Sequence, residues 1–280
     1  MDNEQPVQQR PVCVFDSGLG GLTVVRELYR AMPGEDIVYL GDSARVPYGI
    51  KSLETIRRFA LEDAAFLMRF NPKLMVVACN TASAAAIDAI EEFCPVPVVD
   101  VVRPGAAAAL AATDGSIGIV ATEATIRSGA YQREITSGDS DREIMAVSCP
   151  LLVPIVEEGR PADDPIVTHV LCDYLRDMQR MRPGALILGC THYPLLSEAI
   201  AKLMGPDTAL ICSGEAAAHE VRKVLSAQNL GADRTEGTLR CFTTDNPDRF
   251  AELGRRFGDR PIEAVEYVGT DELESLPEIQ

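Results

Sequence analysis

Two segments of this chain share one plan: an apolar run ends in a cysteine, and small polar residues and a helix-forming stretch follow. In residues 76–83 the cysteine is Cys79, and in residues 186–194 it is Cys190. A short apolar run with this boundary predicts a buried strand that ends at the start of a helix. Each segment therefore brings a thiol to the carboxyl end of a strand, so the fold must contain two strand ends that each carry a cysteine.

Predicted strands and helices alternate along the sequence, which indicates parallel sheets covered by helices. Apolar runs predict strands at residues 12–15, 37–40, 74–78, 96–102, 117–120, 144–147, 186–189, 209–211, 239–243 and 265–268. The segments between them predict helices, including residues 165–178 and 194–204. Residues 103–105 are expected to interrupt the regular secondary structure before a second α/β series begins. Residues 271–280 are expected to be frayed. We therefore predict an α/β fold of two similar parallel-sheet domains in a pseudo-twofold relation, with the active site in the cleft between them.

The charge and the amino-terminal sequence exclude some partners. The 280 residues carry a net charge of −16, which disfavours non-specific binding to nucleic acid because that requires clustered Lys and Arg. Residues 1–11 are polar and resemble neither a signal peptide nor an anchor, and no stretch approaches the length of a membrane span. We predict a soluble, cytoplasmic protein without a nucleic-acid or membrane partner.

The eight cysteines form no Cys-x-x-Cys pair, so zinc-ribbon and thioredoxin-type sites have no support, and we predict no metal site. Most are expected to be buried apolar residues, among them Cys172 in the middle of a predicted helix. Cys79 and Cys190 differ because each is expected at a helix start. There the helix dipole and free backbone N–H groups favour thiolate and lower the pKa of a thiol.

Two loops at predicted strand ends carry further polar groups. Residues 16–21 lie between a strand and a helix but lack the dinucleotide-binding Gly-x-Gly-x-x-Gly spacing, since Thr23 stands where the third glycine belongs. Residues 41–49 combine Asp, Ser, Arg and Tyr with Pro and Gly. Open α/β sheets bind ligands at the carboxyl ends of their strands, so both loops are candidates for the site.

Paired thiols fit three kinds of chemistry. A disulfide redox couple has no support, because the two cysteines are far apart in sequence and form no Cys-x-x-Cys motif. A Cys190–His192 dyad accounts for nucleophilic catalysis but leaves Cys79 without a role. Two thiols on opposite sides of one carbon meet the demand of a racemase, which removes a proton from one face and returns one to the other. None of the four lysines lies in a motif typical of a pyridoxal Schiff base, so we predict proton transfer without a cofactor.

The chain resembles the cofactor-independent glutamate racemases. The matching segments occur in order at residues 15–21, 41–49, 78–83, 153–159, 189–194 and 242–245. The Cys-Thr-His-Tyr-Pro sequence at residues 190–194 favours glutamate racemases over the related aspartate racemases. The resemblance implies interconversion of L- and D-glutamate, with D-glutamate supplied to peptidoglycan synthesis. It also implies one domain of residues 1–102 with 213–280 and another of residues 103–212; the oligomeric state stays open, with a homodimer as one option.

The resemblance also implies roles for individual residues. Cys79 and Cys190 would be the two acid/base thiols, with Asp16 assisting Cys79, and with His192 and Glu157 assisting Cys190. The amino and carboxylate groups of the substrate would be held by Asp16, Ser17, Pro47, Tyr48, Gly49, Cys79, Asn80, Thr81, Thr122, Thr125, Cys190, Thr191 and His192. Plainer interpretations exist for several of them: Asn80, Thr81 and Thr191 also fit as helix caps, and Tyr48 as a packing residue.

Three residues depart from the family's pattern. Arg103, Ala121 and Cys212 stand where an acidic residue, a glycine and an aspartate are usual. None belongs to the implied chemistry, so the departures concern the hinge and the substrate loops rather than the reaction. Two alternatives stay open: a racemase for aspartate or another amino acid, and a non-catalytic amino-acid-binding protein, although a binder has no need of two thiols.

Overall fold

The computed structural model describes residues 6–259, 262 and 264–275 of the chain. The first part contains β1 (Val12–Asp16), α1 (Leu22–Ala31), β2 (Ile37–Gly41), α2 (Leu53–Met68), β3 (Leu74–Val77), α3 (Asn80–Phe93) and β4 (Val98–Asp100). The middle part contains α4 (Val102–Ala112), β5 (Ile117–Ala121), α5 (Glu123–Ser128), α6 (Ala130–Gly138), β6 (Ile144–Ser148), α7 (Leu152–Glu157), α8 (Pro165–Tyr174), α9 (Arg176–Met181), β7 (Ala185–Gly189), α10 (Ser197–Met204) and β8 (Ala209–Cys212). The last part contains α11 (Ser213–Ala227), β9 (Leu239–Thr243), α12 (Pro247–Gly258), β10 (Val265–Tyr267) and α13 (Thr270–Glu274).

The strands form two sheets in the described part of the chain, and all their pairings are parallel. The six-stranded sheet has the order β10-β9-β2-β1-β3-β4, and the four-stranded sheet has the order β6-β5-β7-β8. This confirms the predicted α/β fold class with two parallel-sheet units. The predicted domain limits, 1–102 with 213–280 and 103–212, stay a prediction.

Both faces of the six-stranded sheet are covered by helices. Along β1, Val12 and Val14 belong to one apolar cluster, whereas Cys13 and Phe15 belong to another, as the two-residue period of a strand requires. The first cluster includes side chains of α1, α11 and α12, and the second includes side chains of α2 and α3. The strand is apolar on both faces because both faces are buried.

The four-stranded sheet is also covered on both faces. Ile117 and Ile119 of β5 pack with residues of α4 and α6, whereas Leu186 and Leu188 of β7 pack with residues of α8 and α10. The latter cluster is the same one that contains the residues of α1 and α11, so one continuous apolar core joins the two sheets.

Residues 103–105 do not interrupt the secondary structure, contrary to the prediction, because they lie within a helix. Helix α4 begins at Val102, and the predicted strand at residues 96–102 is reduced to β4. Asp100 Oδ1 accepts hydrogen bonds from the backbone N–H groups of Val102, at 2.6 Å, and Arg103, at 2.9 Å. Pro104 is tolerated because it lies in the first turn, where a backbone N–H has no partner within the helix.

Other predicted elements also differ from the structure. The helix expected at residues 165–178 is divided into α8 and α9, with Leu175 between them, and the segment expected to be helical from Pro194 starts as a 3₁₀ helix, Tyr193–Leu196, before α10. Cys172 was expected in the core, but it is exposed on α8. Residues 270–274 form α13 rather than a frayed end, and residues 276–280 lie outside the described residues.

The fold brings several loops to the same edges of the sheets. β1 ends at Asp16 and β3 at Val77, two residues before Cys79, on neighbouring strands of the larger sheet. In the smaller sheet, Ala121 of β5 lies opposite Gly189 of β7, so Thr122 and Cys190 follow adjacent strand ends. The polar residues after these strands can therefore meet in one site.

Candidate active site

A cavity of about 270 Å³ lies between the strand ends of the two sheets, a size that suits a ligand as small as an amino acid. It is lined by Ser17, Val46, Pro47, Tyr48, Gly49, Ile50, Cys79, Asn80, Thr81, Thr122, Glu123, Pro150, Val153, Pro154, Glu157, Cys190, Thr191 and His192. Cys79 reaches it from the six-stranded unit and Cys190 from the four-stranded unit. Every predicted site residue except Asp16 and Thr125 belongs to this lining.

Cys79 is the N-cap residue of α3. Its sulfur accepts a hydrogen bond from the backbone N–H of Ala82 at 3.4 Å and lies 3.7 Å from Ser17 Oγ. Burial and the nearby carboxylate of Asp16 raise the pKa of this thiol to about 12. The expectation that the helix start lowers this pKa is therefore wrong, because loss of water outweighs the favourable effect of the helix terminus.

Asp16 lies behind the cavity wall rather than in the lining. Its carboxylate is 1% exposed, and it accepts hydrogen bonds from the backbone N–H of Gly18 at 3.1 Å and from Thr191 Oγ1 at 3.4 Å. Burial raises the pKa of Asp16, and the positive charge of His192 opposes the rise. Asp16 thus connects the thiol of one unit with the Cys190–His192 segment of the other.

Cys190, His192 and Glu157 form a chain of polar groups on the opposite side. The Cys190 sulfur lies 3.8 Å from His192 Nδ1, and the other ring nitrogen, Nε2, lies 3.0 Å from Glu157 Oε1. Cys190 follows β7 directly, and two residues separate it from the 3₁₀ helix Tyr193–Leu196. Its expected position at a helix start is therefore wrong, and the imidazole is its principal polar neighbour.

The His192 ring holds a proton at neutral pH. Burial alone pushes the pKa of His192 down, but hydrogen bonds to Cys190 and Glu157 overcome this effect and raise the pKa to about 10. Phe257 of α12 packs edge-on against the ring, with 5.4 Å between the ring centroids. A charged imidazole fixed by a carboxylate can hand a proton to the neighbouring sulfur or take one back.

Three threonine hydroxyl groups form a cluster that connects the two units. Thr81 Oγ1 of α3 lies 3.0 Å from Thr122 Oγ1 and 3.3 Å from Thr125 Oγ1, and the last two atoms are 2.9 Å apart. Thr122 is also the N-cap of α5 and accepts a hydrogen bond from the backbone N–H of Thr125. Thr125 supports the two lining residues without reaching the cavity itself.

The loop at residues 46–50 forms another wall of the cavity. The side chain of Tyr48 is buried, and its hydroxyl contacts Asp42 and lies 2.9 Å from Asp63 Oδ2. This hydroxyl is therefore engaged inside the protein rather than free for a substrate. Gly49 approaches Thr122 so closely that a Cβ at this position would lie 2.7 Å from the threonine Cβ.

The glycine-rich turn after β1 makes a close contact across the cleft. A Cβ at Gly20 would collide with Thr191 Oγ1 and would lie 2.6 Å from the His192 ring. Thr23, in the first turn of α1, donates a hydrogen bond from its hydroxyl to the carbonyl of Thr191 at 2.9 Å. The turn therefore positions the Thr191–His192 segment.

The sequence interpretation missed six lining residues: Val46, Ile50, Glu123, Pro150, Val153 and Pro154. Val46, Val153 and Pro154 lie inside segments that match the family, so the sequence did contain a signal for these three residues. Glu123 stands between two predicted threonines, but its side chain is more than half exposed and pairs with Arg127.

A wider groove of about 1,020 Å³ lies between α4, β8 and α11. Its lining includes Cys212 but none of the predicted site residues, so the paired-thiol chemistry belongs to the smaller cavity. Within the described ranges, no cluster of three or more His, Cys, Asp or Glu has the arrangement of a metal site.

The geometry agrees with the comparison to known proteins. Residues 20–221 match the family model described as Asp/Glu/Hydantoin racemase. The chain belongs to this family of racemases. It is therefore an amino-acid racemase, an isomerase that acts on a small molecule, and the resemblance predicted from sequence is confirmed.

Individual family members are similar over nearly their whole length. A glutamate racemase of Syntrophus aciditrophicus is 43% identical over 268 residues, which are 95% of this chain and 99% of that protein. The structure of a Bacillus anthracis glutamate racemase has a TM-score of 0.89 and 38% identity, covering 93% of this chain and 98% of that one. The structure of Francisella tularensis glutamate racemase in complex with D-glutamate has a TM-score of 0.88 and 38% identity, covering 94% of this chain and 99% of that one.

In the chain described here, none of the described helices is long and apolar enough to cross a membrane.

Proposed function

We propose that this racemase interconverts L- and D-glutamate without a cofactor, using Cys79 and Cys190 as the two acid/base groups. One observation carries the proposal: the two thiols come from different sheets and line the same cavity. A substrate α-carbon between them is accessible to one sulfur on each face. We further propose the domain limits 1–102 with 213–280 and 103–212, which assign one thiol to each domain.

The reaction requires one thiolate and one thiol at a time. The thiolate takes the proton from the α-carbon, and the electron pair left on that carbon takes a proton from the thiol on the opposite face. The first sulfur ends as a thiol and the second as a thiolate, so charge and protons balance. The product has the opposite configuration, and the enzyme is left in the form that catalyses the reverse reaction.

Each thiol has a different helper. Burial and, after it, the nearby carboxylate of Asp16 raise the pKa of Cys79, so these two effects favour the protonated thiol. The ammonium group of a bound amino acid brings a positive charge into the cavity and favours the thiolate. On the other side, the proton held between Glu157 and His192 can be passed to Cys190.

The α-proton of an amino acid is very weakly acidic, so the site must stabilise the negative charge that develops when it is removed. The hydroxyl groups of Ser17, Thr81 and Thr191 and the amide of Asn80 are donors in the lining. They are held in place before the substrate binds, which is the arrangement that stabilises developing charge best. The start of α3, just after Cys79, adds free backbone N–H groups.

Glutamate is the proposed substrate because of the similarity to the glutamate racemases and the Cys-Thr-His-Tyr-Pro sequence. D-Glutamate formed in this way would be supplied to peptidoglycan synthesis. The direct test is to incubate the protein with single enantiomers of glutamate, aspartate, glutamine and alanine and to follow the loss of optical rotation. We expect glutamate to racemise fastest from either enantiomer. Faster turnover of aspartate would replace the substrate assignment, and binding of glutamate without turnover would contradict the proposed reaction.

The same assay tests the thiols. Cys79→Ser and Cys190→Ser should each lower kcat by about 10²–10⁴-fold, the usual contribution of a positioned general acid or base. Cys172→Ser is the matched control, because Cys172 is exposed on α8 outside the cavity, and it should keep full activity. Full activity in both cavity variants would contradict the proposed mechanism.

A further inference from the structure

The side-chain amide of Asn80 places a buried donor in the cavity wall. Asn80 is 2% exposed and belongs to the lining, and its Nδ2 atom makes no hydrogen bond within the described part of the chain. Burying an amide N–H without a partner costs free energy, so such a donor needs an explanation. The amide lies one residue after Cys79, at the first position of α3.

The other atom of the same amide is held firmly. Asn80 Oδ1 accepts a hydrogen bond of 2.6 Å from the hydroxyl of Tyr131, which lies on α6 in the four-stranded unit. The two residues are 51 positions apart and come from helices that cover different sheets. The contact therefore crosses between the two units beside the cavity.

Tyr131 is itself held rigidly. Its side chain is 1% exposed. A Cβ at Gly105 would lie 3.3 Å from the phenol oxygen, and one at Gly189 would lie 3.1 Å from the ring. The ring thus lies against the backbones of α4 and β7. The strand residue Gly189 immediately precedes Cys190, so the same ring supports both sides of the site.

The phenol remains a donor across the working pH range. Burial raises the pKa of Tyr131 well above its ordinary value, and a hydrogen bond with the Ser213 side chain opposes the rise. A phenol that keeps its proton and contacts Asn80 through Oδ1 fixes which way the amide faces. The Nδ2 protons are then left for another acceptor.

We infer that Tyr131 is a positioning residue that orients the Asn80 amide, so that its Nδ2 group donates to a carboxylate oxygen of the bound amino acid. This inference rests on the proposed function, since it takes an amino acid as the ligand. A carboxylate is the group of that ligand which can accept hydrogen bonds and which gains most from a fixed donor. Among the described residues, no lysine or arginine lines the cavity, and the charged ring of His192 is engaged with Cys190 and Glu157. Neutral donors such as the Asn80 amide are therefore needed to hold the carboxylates.

The test is the variant Tyr131→Phe, which removes one oxygen atom and keeps the ring that packs against Gly105 and Gly189. We expect KM for glutamate to rise about tenfold in both directions, the effect of one hydrogen bond to a charged group, with a smaller change in kcat. In an Asn80→Ala background the same substitution should leave KM unchanged, because the amide it orients is gone. Tyr29→Phe, a buried tyrosine of α1 outside the lining, is the matched control and should leave KM unaltered.

Two kinetic results would overturn the inference. One is an unchanged KM in Tyr131→Phe, and the other is an equal rise in KM with and without Asn80, which would indicate general loosening of the fold. A second measurement uses the unaltered protein, labelled with ¹⁵N-asparagine. The side-chain signals of Asn80, assigned by their absence in Asn80→Ala, should shift when D-glutamate is added, and unmoved signals would contradict the inference. Glutamate turnover by the wild type tests the proposed function separately.

Discussion

Glu157 Oε1 lies 3.0 Å from His192 Nε2, so the carboxylate holds the imidazole whose other nitrogen faces the Cys190 sulfur. Burial would normally keep this ring neutral, and the hydrogen bonds to the thiol and to Glu157 reverse that tendency. The side chain of Glu157 is itself about one-third exposed. The pair thus provides a protonated imidazole whose orientation is fixed by Glu157, and the partly exposed Glu157 connects it to solvent.

Replacing Glu157 by Gln should lower the pKa of His192 from its value of about 10, because one of the interactions that raise it is lost. His192 is the protonated donor, so activity should fall as pH rises through this pKa, and the falling limb should move to lower pH in the variant. We also expect kcat to fall by about tenfold, less than the 10²–10⁴ of direct proton transfer. The pH dependence of kcat measures both effects.

The matched control for that experiment is Glu158→Gln. Glu158 is the next residue, its side chain is 66% exposed, and it pairs with Arg160 rather than with His192. The control should keep the wild-type pH profile. A falling limb that does not move in Glu157→Gln would contradict the assigned role of the carboxylate.

A buried acid behind the cavity loop should keep its proton to a higher pH than an exposed aspartate does. Burial and the nearby charge of Asp42 raise the pKa of Asp63 well above its ordinary value. The unfolded chain ionises this group near pH 3.8, so its contribution to stability is fully present below that pH and is lost as pH rises through the folded pKa. Asn has the same shape as the protonated acid. Its Oδ1 can accept from Arg45, and its Nδ2 would lie at the position of Oδ2, 2.9 Å from the Tyr48 hydroxyl, which also contacts Asp42.

Asp63→Asn should therefore gain stability relative to the wild type as pH rises from about 4 to about 7. Free energies of unfolding from urea titrations at several pH values provide the measurement. Asp173→Asn, with a side chain that is 68% exposed, should show no such gain. Parallel pH curves for Asp63→Asn and the wild type would contradict a raised pKa of Asp63.

The contact of Gly20 with the opposite unit should be sensitive to a single methyl group. Gly20→Ala would place that methyl against Thr191 and the His192 ring, so we expect KM to rise and kcat to fall as this segment is displaced. Gly231→Ala is the control, because no atom of the described residues lies within 4 Å of a Cβ at that position. The measurement is the racemisation kinetics of the two variants, with thermal unfolding to confirm that both are folded. Wild-type activity in Gly20→Ala as well as in Gly231→Ala would contradict this interpretation.

The strand ends that carry Cys79 and Cys190 could be predicted from the sequence because each signal is local. An apolar run followed by small polar residues predicts the end of a buried strand, and parallel strands place such ends at one edge of the sheet. The resemblance to a family added the helper residues. These two sources together predicted most of the cavity lining.

The contacts that cross between the units could not be predicted in this way. Gly20 and Thr191, or Asn80 and Tyr131, are far apart in sequence, and nothing in the local pattern pairs them. The pKa of Cys79 was predicted in the wrong direction because burial, a property of the whole fold, outweighs the local helix terminus. The same limit explains Cys172, since a mid-helix position does not reveal which face of α8 is covered.

The central claim is that two thiols act on opposite faces of one carbon, and the most direct test is racemisation of each glutamate enantiomer in deuterium oxide. The product enantiomer should carry one solvent deuterium at the α-carbon from the first turnovers in both directions. Cys79→Ser and Cys190→Ser should each slow racemisation in both directions by about 10²–10⁴-fold. Product that keeps the original α-proton, or full racemisation by both variants, would contradict the central claim.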